Sequence, residues 1–191
     1  YLDKKLEPLI KKIGPCTIRI TKNSYQTLVE AIIYQQLSEA SATAITKRFL
    51  KLYKKFPTPE QVMSTSDKKL KDTGISGTKI NYIKGLSKQI IEKEIDFRKI
   101  SKLKNEQIIE ELTKIKGIGN WTAQIYLMFC LQRKDVFPVG DLGIQKGIRD
   151  LFSLKELPNS KTMEKYSARW KPNRSIACWY IWKSQRINSI G

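Results

Sequence analysis

Ile115-Lys116-Gly117-Ile118-Gly119-Asn120-Trp121-Thr122-Ala123, followed downstream by Phe137-Pro138-Val139-Gly140-Asp141, is the stretch on which the reading of this chain turns. Two glycines stand between an amphipathic run starting at Asn105, with Ile108, Ile109 and Leu112 inward, and a new apolar run over 120–131. That pattern predicts a helix, a tight hairpin and a second helix within residues 105–131. Glycine permits positive φ and close backbone approach, and a new helix start leaves N–H groups facing outward. Such a terminus can hold an anion, with Lys114 and Lys116 adding positive charge beside it. A plain interhelix turn would use the same glycines, so the hairpin alone identifies no ligand. The Pro/Gly loop then delivers one carboxylate, Asp141, to another helix start, where free N–H groups and the dipole stabilise it. Capping is the commoner role of an aspartate so placed.

Working outward, helical signals dominate. Residues 24–36 carry Leu28, Ile32 and Ile33 at helical spacing, and Ser38 can cap a helix running to about residue 53. Thr58-Pro59-Glu60-Gln61 has the capping-box pattern with Pro at the first helical position. Residues 67–72 form a short helix stopped by Gly74, and Ser76 caps a helix with Ile80, Ile83, Leu86, Ile90 and Ile91 on its apolar face. Helices also start at Asp141, near Ser160 and after Lys171-Pro172, the last ending near residue 186. Only residues 17–20 hint at a strand. The chain reads as all-α, without repeats or low-complexity linkers.

Composition narrows the chemistry. A chain of 191 residues can form one domain or two joined lobes, burying roughly 70% of its unfolded surface. No apolar run approaches the ~20 residues of a membrane span, and no signal-peptide pattern is seen. The sequence begins at Tyr1 rather than Met, which leaves open a preceding segment. Lysine and arginine number 36 against 18 acidic residues, a formal charge of +18 that points to nucleic acid as partner. There is no histidine, and Cys16, Cys130 and Cys178 are scattered. Neither a Cys/His zinc site nor a four-thiolate iron–sulfur cluster can be assembled from this chain alone, and histidine-based triads are excluded. Reduced core thiols in an intracellular protein fit this usage. Any catalysis rests on carboxylates, lysines or water.

With these residues in view, the hairpin Ile115–Gly119, Trp121-Thr122-Ala123 and Pro138–Asp141 resemble the helix-hairpin-helix, Gly/Pro-Asp superfamily of DNA glycosylases. The run Tyr166-Ser-Ala-Arg-Trp-Lys-Pro-Asn-Arg-Ser-Ile-Ala-Cys-Trp-Tyr-Ile-Trp182 and Ile32-Ile-Tyr-Gln-Gln-Leu-Ser38 are similar to the 3-methyladenine DNA glycosylase II branch. The resemblance covers residues 24–185 and implies one helix-hairpin-helix glycosylase domain over 1–191, with two helical lobes flanking a DNA-binding cleft. It implies a monomer that extrudes alkylated purines from damaged double-stranded DNA and hydrolyses the glycosidic bond. The setting would be cytoplasm or nucleoid in a prokaryote and nucleus in a eukaryote. A glycosylase for deaminated or oxidised bases, or a non-catalytic helix-hairpin-helix module, stays open at this point.

The resemblance assigns roles residue by residue. Asp141 would be catalytic, its charge stabilising the cation that develops on the sugar and orienting water. Lyase-capable branches carry a lysine where Trp121 stands here; an indole cannot form a Schiff base, so simple hydrolysis is implied. Trp121 and Trp182, with Tyr34 and Tyr126 behind them, are the base-pocket candidates, since an aromatic face attracts a cationic base by ~0.5–2 kcal/mol. Ile125 stands where the branch can carry a pocket tyrosine. Trp170 and Trp179 read as core. Gln36 and Leu37 are candidates for the wedge that fills the gap left by an extruded base. Lys114, Lys116, Gly117, Gly119, Asn120 and Thr122 form the candidate phosphate contact, and Arg174 would contact DNA or brace the Asp141 loop. No organic cofactor is implied. The backbone carbonyls of Thr113, Ile115 and Ile118 match positions that can hold Na⁺ or K⁺.

Overall fold

The computed structural model describes residues 3–18 and 20–188, with side chains up to residue 185. Among the described residues it contains twelve α-helices, one short 3₁₀ turn and no strand. The helices are α1 (Glu7–Ile13), α2 (Ser24–Tyr34), α3 (Glu39–Lys51), α4 (Pro59–Ser64), α5 (Asp67–Asp72) and α6 (Gly77–Ile91). They continue with α7 (Phe97–Ile100), α8 (Asn105–Thr113), α9 (Asn120–Phe129), α10 (Leu142–Leu151), α11 (Ser160–Ser167) and α12 (Arg174–Asn188). Two compact units result. One comprises residues 21–126; the other combines the described residues before 21 with those from 127 onward.

Local chemistry starts most of these helices. Ser38, Ser66, Ser76 and Asn159 each accept a hydrogen bond from the backbone N–H three residues on. Thr58 and Gln61 close the capping box reciprocally, at 3.3 Å and 2.9 Å. Two helices escape the sequence pattern. α1 has no side-chain cap and buries no residue, while α7 is four residues long and too short to show a period. The strand expected at 17–20 is not formed at the described positions 17, 18 and 20. Ile91 also departs from its assigned face. It is the last residue of α6 and is exposed, because the apolar period runs past what covers the helix.

In the unit of residues 21–126 the core is built on α2, α6 and α8, with Leu28, Ile32, Ile33, Ile80, Ile83, Leu86, Ile108 and Leu112 buried. Phe49 meets Tyr53 and Phe56 edge-on at 5.5 and 6.2 Å. In the other unit α10 packs directly on α12. Gly147 makes that approach possible, since a methyl group there would overlap Ile181. Trp170 and Trp179 are buried in this unit, as the sequence suggests, and Cys130 and Cys178 are buried thiols.

Candidate active site and nucleic-acid interface

The loop ahead of Asp141 is pinned by the start of α12. Arg174 grips the Asp135 carboxylate with two N–H donors, at 2.6 and 2.9 Å, and gives a third bond to the Asp135 carbonyl. The guanidinium holds the Asp135 carboxyl below its ordinary value. Ser175 adds three links: its N–H to the Lys134 carbonyl, its hydroxyl to the Arg133 carbonyl, and its oxygen to the Val136 N–H. Of the two roles open to Arg174, loop bracing is the one formed. Nε and Nη2 supply these bonds, which leaves the two Nη1 N–H groups of the guanidinium outside the brace.

That loop ends in Asp141, which caps α10 and is only 9% exposed. Its Oδ1 accepts the Ile144 N–H at 2.7 Å and the Trp182 indole N–H at 2.9 Å. Two donors on one oxygen fix the plane of the carboxylate, and charge-assisted bonds of this kind are about twice as strong as neutral ones. The Trp182 ring lies against Phe129 at 5.9 Å, and the Gly143 Cα lies close enough that a methyl there would press on both Asp141 and Trp182. Trp182 therefore serves Asp141 directly, a link that the sequence pattern did not reveal. Cys178, fully buried nearby, has its thiol pushed well above the ordinary value by burial first and by the Asp141 charge second. It stays protonated and is no rival nucleophile.

The hairpin belongs to the unit of residues 21–126. α8 ends at Thr113, Gly117 takes φ +91, and α9 begins at Asn120. A side chain at Gly117 would overlap the Tyr82 ring, whereas Gly119 has open space around its Cα. The first backward bond of α9 runs from the Ala123 N–H to the Gly119 carbonyl at 3.0 Å, so the Asn120 and Thr122 amides have no intrahelical acceptor. Lys116 is exposed at the turn. Lys114 is also exposed, but its ammonium sits 2.6 Å from Glu111. The Ile115 carbonyl already accepts the Ile118 N–H at 3.0 Å, which leaves that oxygen one lone pair for a cation.

Several expected residues land elsewhere. Thr122 is almost fully buried, and its hydroxyl receives the Gln35 carboxamide at 2.9 Å; only its backbone can face DNA. Tyr126 is wholly buried, with its hydroxyl 3.0 Å from Ser24 and its ring 6.0 Å from Phe97. It is a core residue rather than an open pocket wall, because its one-turn offset from Thr122 turns it inward. Tyr34 is half-buried and its hydroxyl meets Thr43 at 2.9 Å. Trp121 and Ile125 are half-buried and lie one turn apart on α9. Gln36 and Leu37 are exposed, with Gln36 at φ +54. Gln35, which no sequence pattern singles out from its neighbour, donates to the Gly117 carbonyl at 2.8 Å.

Among the described residues no group of three or more His, Cys, Asp or Glu side chains could hold a metal ion. No described helix is long and apolar enough to cross a membrane.

Comparison with known proteins adds to this geometry. The HhH-GPD superfamily base excision DNA repair protein family matches residues 29–173. The chain is 35% identical to the DNA-3-methyladenine glycosylase 1 of Schizosaccharomyces pombe, over 97% of this chain and 84% of that protein. It is 33% identical to the alkylbase DNA glycosidase-like protein mag2 of the same organism, over 100% of this chain and 92% of that protein. The solved S. pombe 3-methyladenine DNA glycosylase in complex with abasic DNA superimposes with a TM-score of 0.88 at 36% identity, covering 97% of this chain and 93% of that one. With its hairpin, its Gly-Asp loop and relatives of this length and identity, the chain belongs to the helix-hairpin-helix Gly/Pro-Asp superfamily of base excision DNA repair proteins, in the 3-methyladenine DNA glycosylase branch.

Proposed function

We infer that this protein is a DNA-3-methyladenine glycosylase: it extrudes alkylated purines from damaged duplex DNA and hydrolyses the N-glycosidic bond, leaving an abasic site. The observation that carries the reading is the nearly buried Asp141 carboxylate, oriented by the Ile144 N–H and the Trp182 indole. The kinship with 3-methyladenine glycosylases over almost the whole chain supports the choice of substrate.

The chemistry follows from charge. Alkylation makes the purine cationic and a better leaving group, so the enzyme has little need of an acid at the base, and none of its residues is a histidine. As the bond breaks, positive charge grows on the sugar. A fixed anion lowers that barrier because its dipolar surroundings need no reorganisation. Asp141 supplies the anion and orients the attacking water. Trp121, with Ile125 one turn behind it, offers an aromatic face for the cationic base. The backbone at Gly117, Gly119 and Asn120, with Lys116, takes a DNA phosphate, and Gln36 and Leu37 fill the vacated stack. The Thr113, Ile115 and Ile118 carbonyls would hold a monovalent cation, which would add positive charge beside that phosphate. The enzyme works as a monomer inside the cell.

Release of methylpurines from methylated duplex DNA is the test. Asp141→Asn should lower the single-turnover rate by at least ~100-fold at unchanged affinity. Base release undiminished in the variant, or binding without release by the unaltered protein, would sink the reading. Since Trp121 replaces a Schiff-base lysine, borohydride should trap no covalent adduct with abasic DNA. A robust adduct would reveal a lyase.

A further inference from the structure

We propose that Gln35 is a positioning residue for base extrusion, a strut that ties the wedge at Gln36 and Leu37 to the phosphate-binding hairpin. The proposal rests on the reading of these two segments given under Proposed function.

The geometry lies within the unit of residues 21–126. Gln35 follows the last residue of α2, and its backbone N–H still bonds the Ala31 carbonyl at 3.2 Å. Its carboxamide nitrogen uses both protons on the hairpin, one on the Gly117 carbonyl at 2.8 Å and one on the Thr122 hydroxyl at 2.9 Å. These acceptors flank the start of α9, where the phosphate would sit. The next residue, Gln36, enters the left-handed region at φ +54, and the Leu37 N–H turns back to the Tyr34 carbonyl at 3.2 Å. The tip is thus a tight turn whose two side chains project outward, held at its base by one amide.

A second support comes from α6. The Lys79 ammonium donates to the Ile33 and Gln35 carbonyls, both at 2.8 Å, and so closes the negative end of α2. One turn further along α6, Tyr82 seats Gly117. The same face of α6 therefore carries the foot of the wedge and the floor of the hairpin, with Gln35 joining the two directly.

Extrusion breaks pairing and stacking, and a wedge recovers that cost only if it enters the duplex in register with the gripped phosphate. A tip that is tied to the hairpin does so; a loose tip does not. Gln35 touches neither the base nor the reacting bond. Its removal should therefore slow release most where extrusion is hardest.

The experiment compares single-turnover release of N7-methylguanine from two duplexes, one with the lesion paired to cytosine and one with it mispaired to thymine. Gln35→Met keeps the length and removes both donors. It should slow the paired substrate about tenfold, the scale of an unsatisfied buried hydrogen-bond partner, and the mispaired one about threefold or less. Thr122→Val removes one acceptor alone and should show the same bias to a smaller degree; it carries the test if Gln35→Met fails to fold. Equal slowing on both duplexes, or none, overturns the strut. Absence of release by the unaltered protein from either duplex would instead bring down the glycosylase reading, and the proposal with it.

Discussion

At the scale of single residues, the contact between Trp182 and Asp141 carries the most consequence. An aromatic side chain in this family setting suggests a surface for the base, yet its N–H is committed to the carboxylate at 2.9 Å. Trp182→Phe keeps a ring against Phe129 and deletes that donor. We expect base release to fall about tenfold while DNA affinity holds, since a bond to a charged group is worth ~1.5–3 kcal/mol. A single-turnover assay beside a binding titration checks this, and an unchanged rate would reduce Trp182 to packing. Tyr126 teaches the reverse lesson. As an aromatic side chain it stands among the pocket candidates behind Trp121 and Trp182, but one position along a helix rotates a side chain by about 100°, and Tyr126 points into the core. Arg174 and Gln35 make the same point with polar groups: residue type told what each could bind, not which partner it would meet.

At the scale of elements, the two hairpin glycines separate fold from function. Gly117 sits at φ +91 over the Tyr82 ring, so Gly117→Ala strains the backbone and collides, at a cost of roughly 1–3 kcal/mol. Gly119 faces open space, so Gly119→Ala should leave the melting temperature nearly unchanged and weaken DNA binding by crowding the phosphate. Melting curves and binding isotherms at moderate salt distinguish the two. Affinity unaltered in Gly119→Ala would remove the phosphate role. The helices themselves were legible wherever a capping side chain and an apolar period coincided, as at Thr58 and Ser76. α1 and α7 were not, because one lacks a cap and the other is shorter than the period that would betray it.

At the scale of the whole molecule, a charge of +18 is a property that no single contact explains. Counterion release should make DNA affinity fall steeply with salt. Neutralising about four phosphates would cost roughly a hundredfold in affinity between 50 and 200 mM. A titration of affinity against salt gives the number of phosphates as its slope, and a flat line would deny that the backbone is the main grip.

What depends on near neighbours along the chain is legible in the order of its residues. The helical character, the hairpin with its two glycines and a carboxylate at a helix start are all of this kind. The indole at position 121 belongs here too, and from it the family resemblance implies hydrolysis rather than a Schiff base. Packing alone settles which side chains meet across long separations: Arg174 with Asp135 across 39 residues, Trp182 with Asp141 across 41, Gln35 with Gly117 across 82. Caps, turns and periods are set by torsions and bonds within a few residues, so they can be read locally. A donor on one helix finds its acceptor on another only after packing has chosen the rotation and register of both.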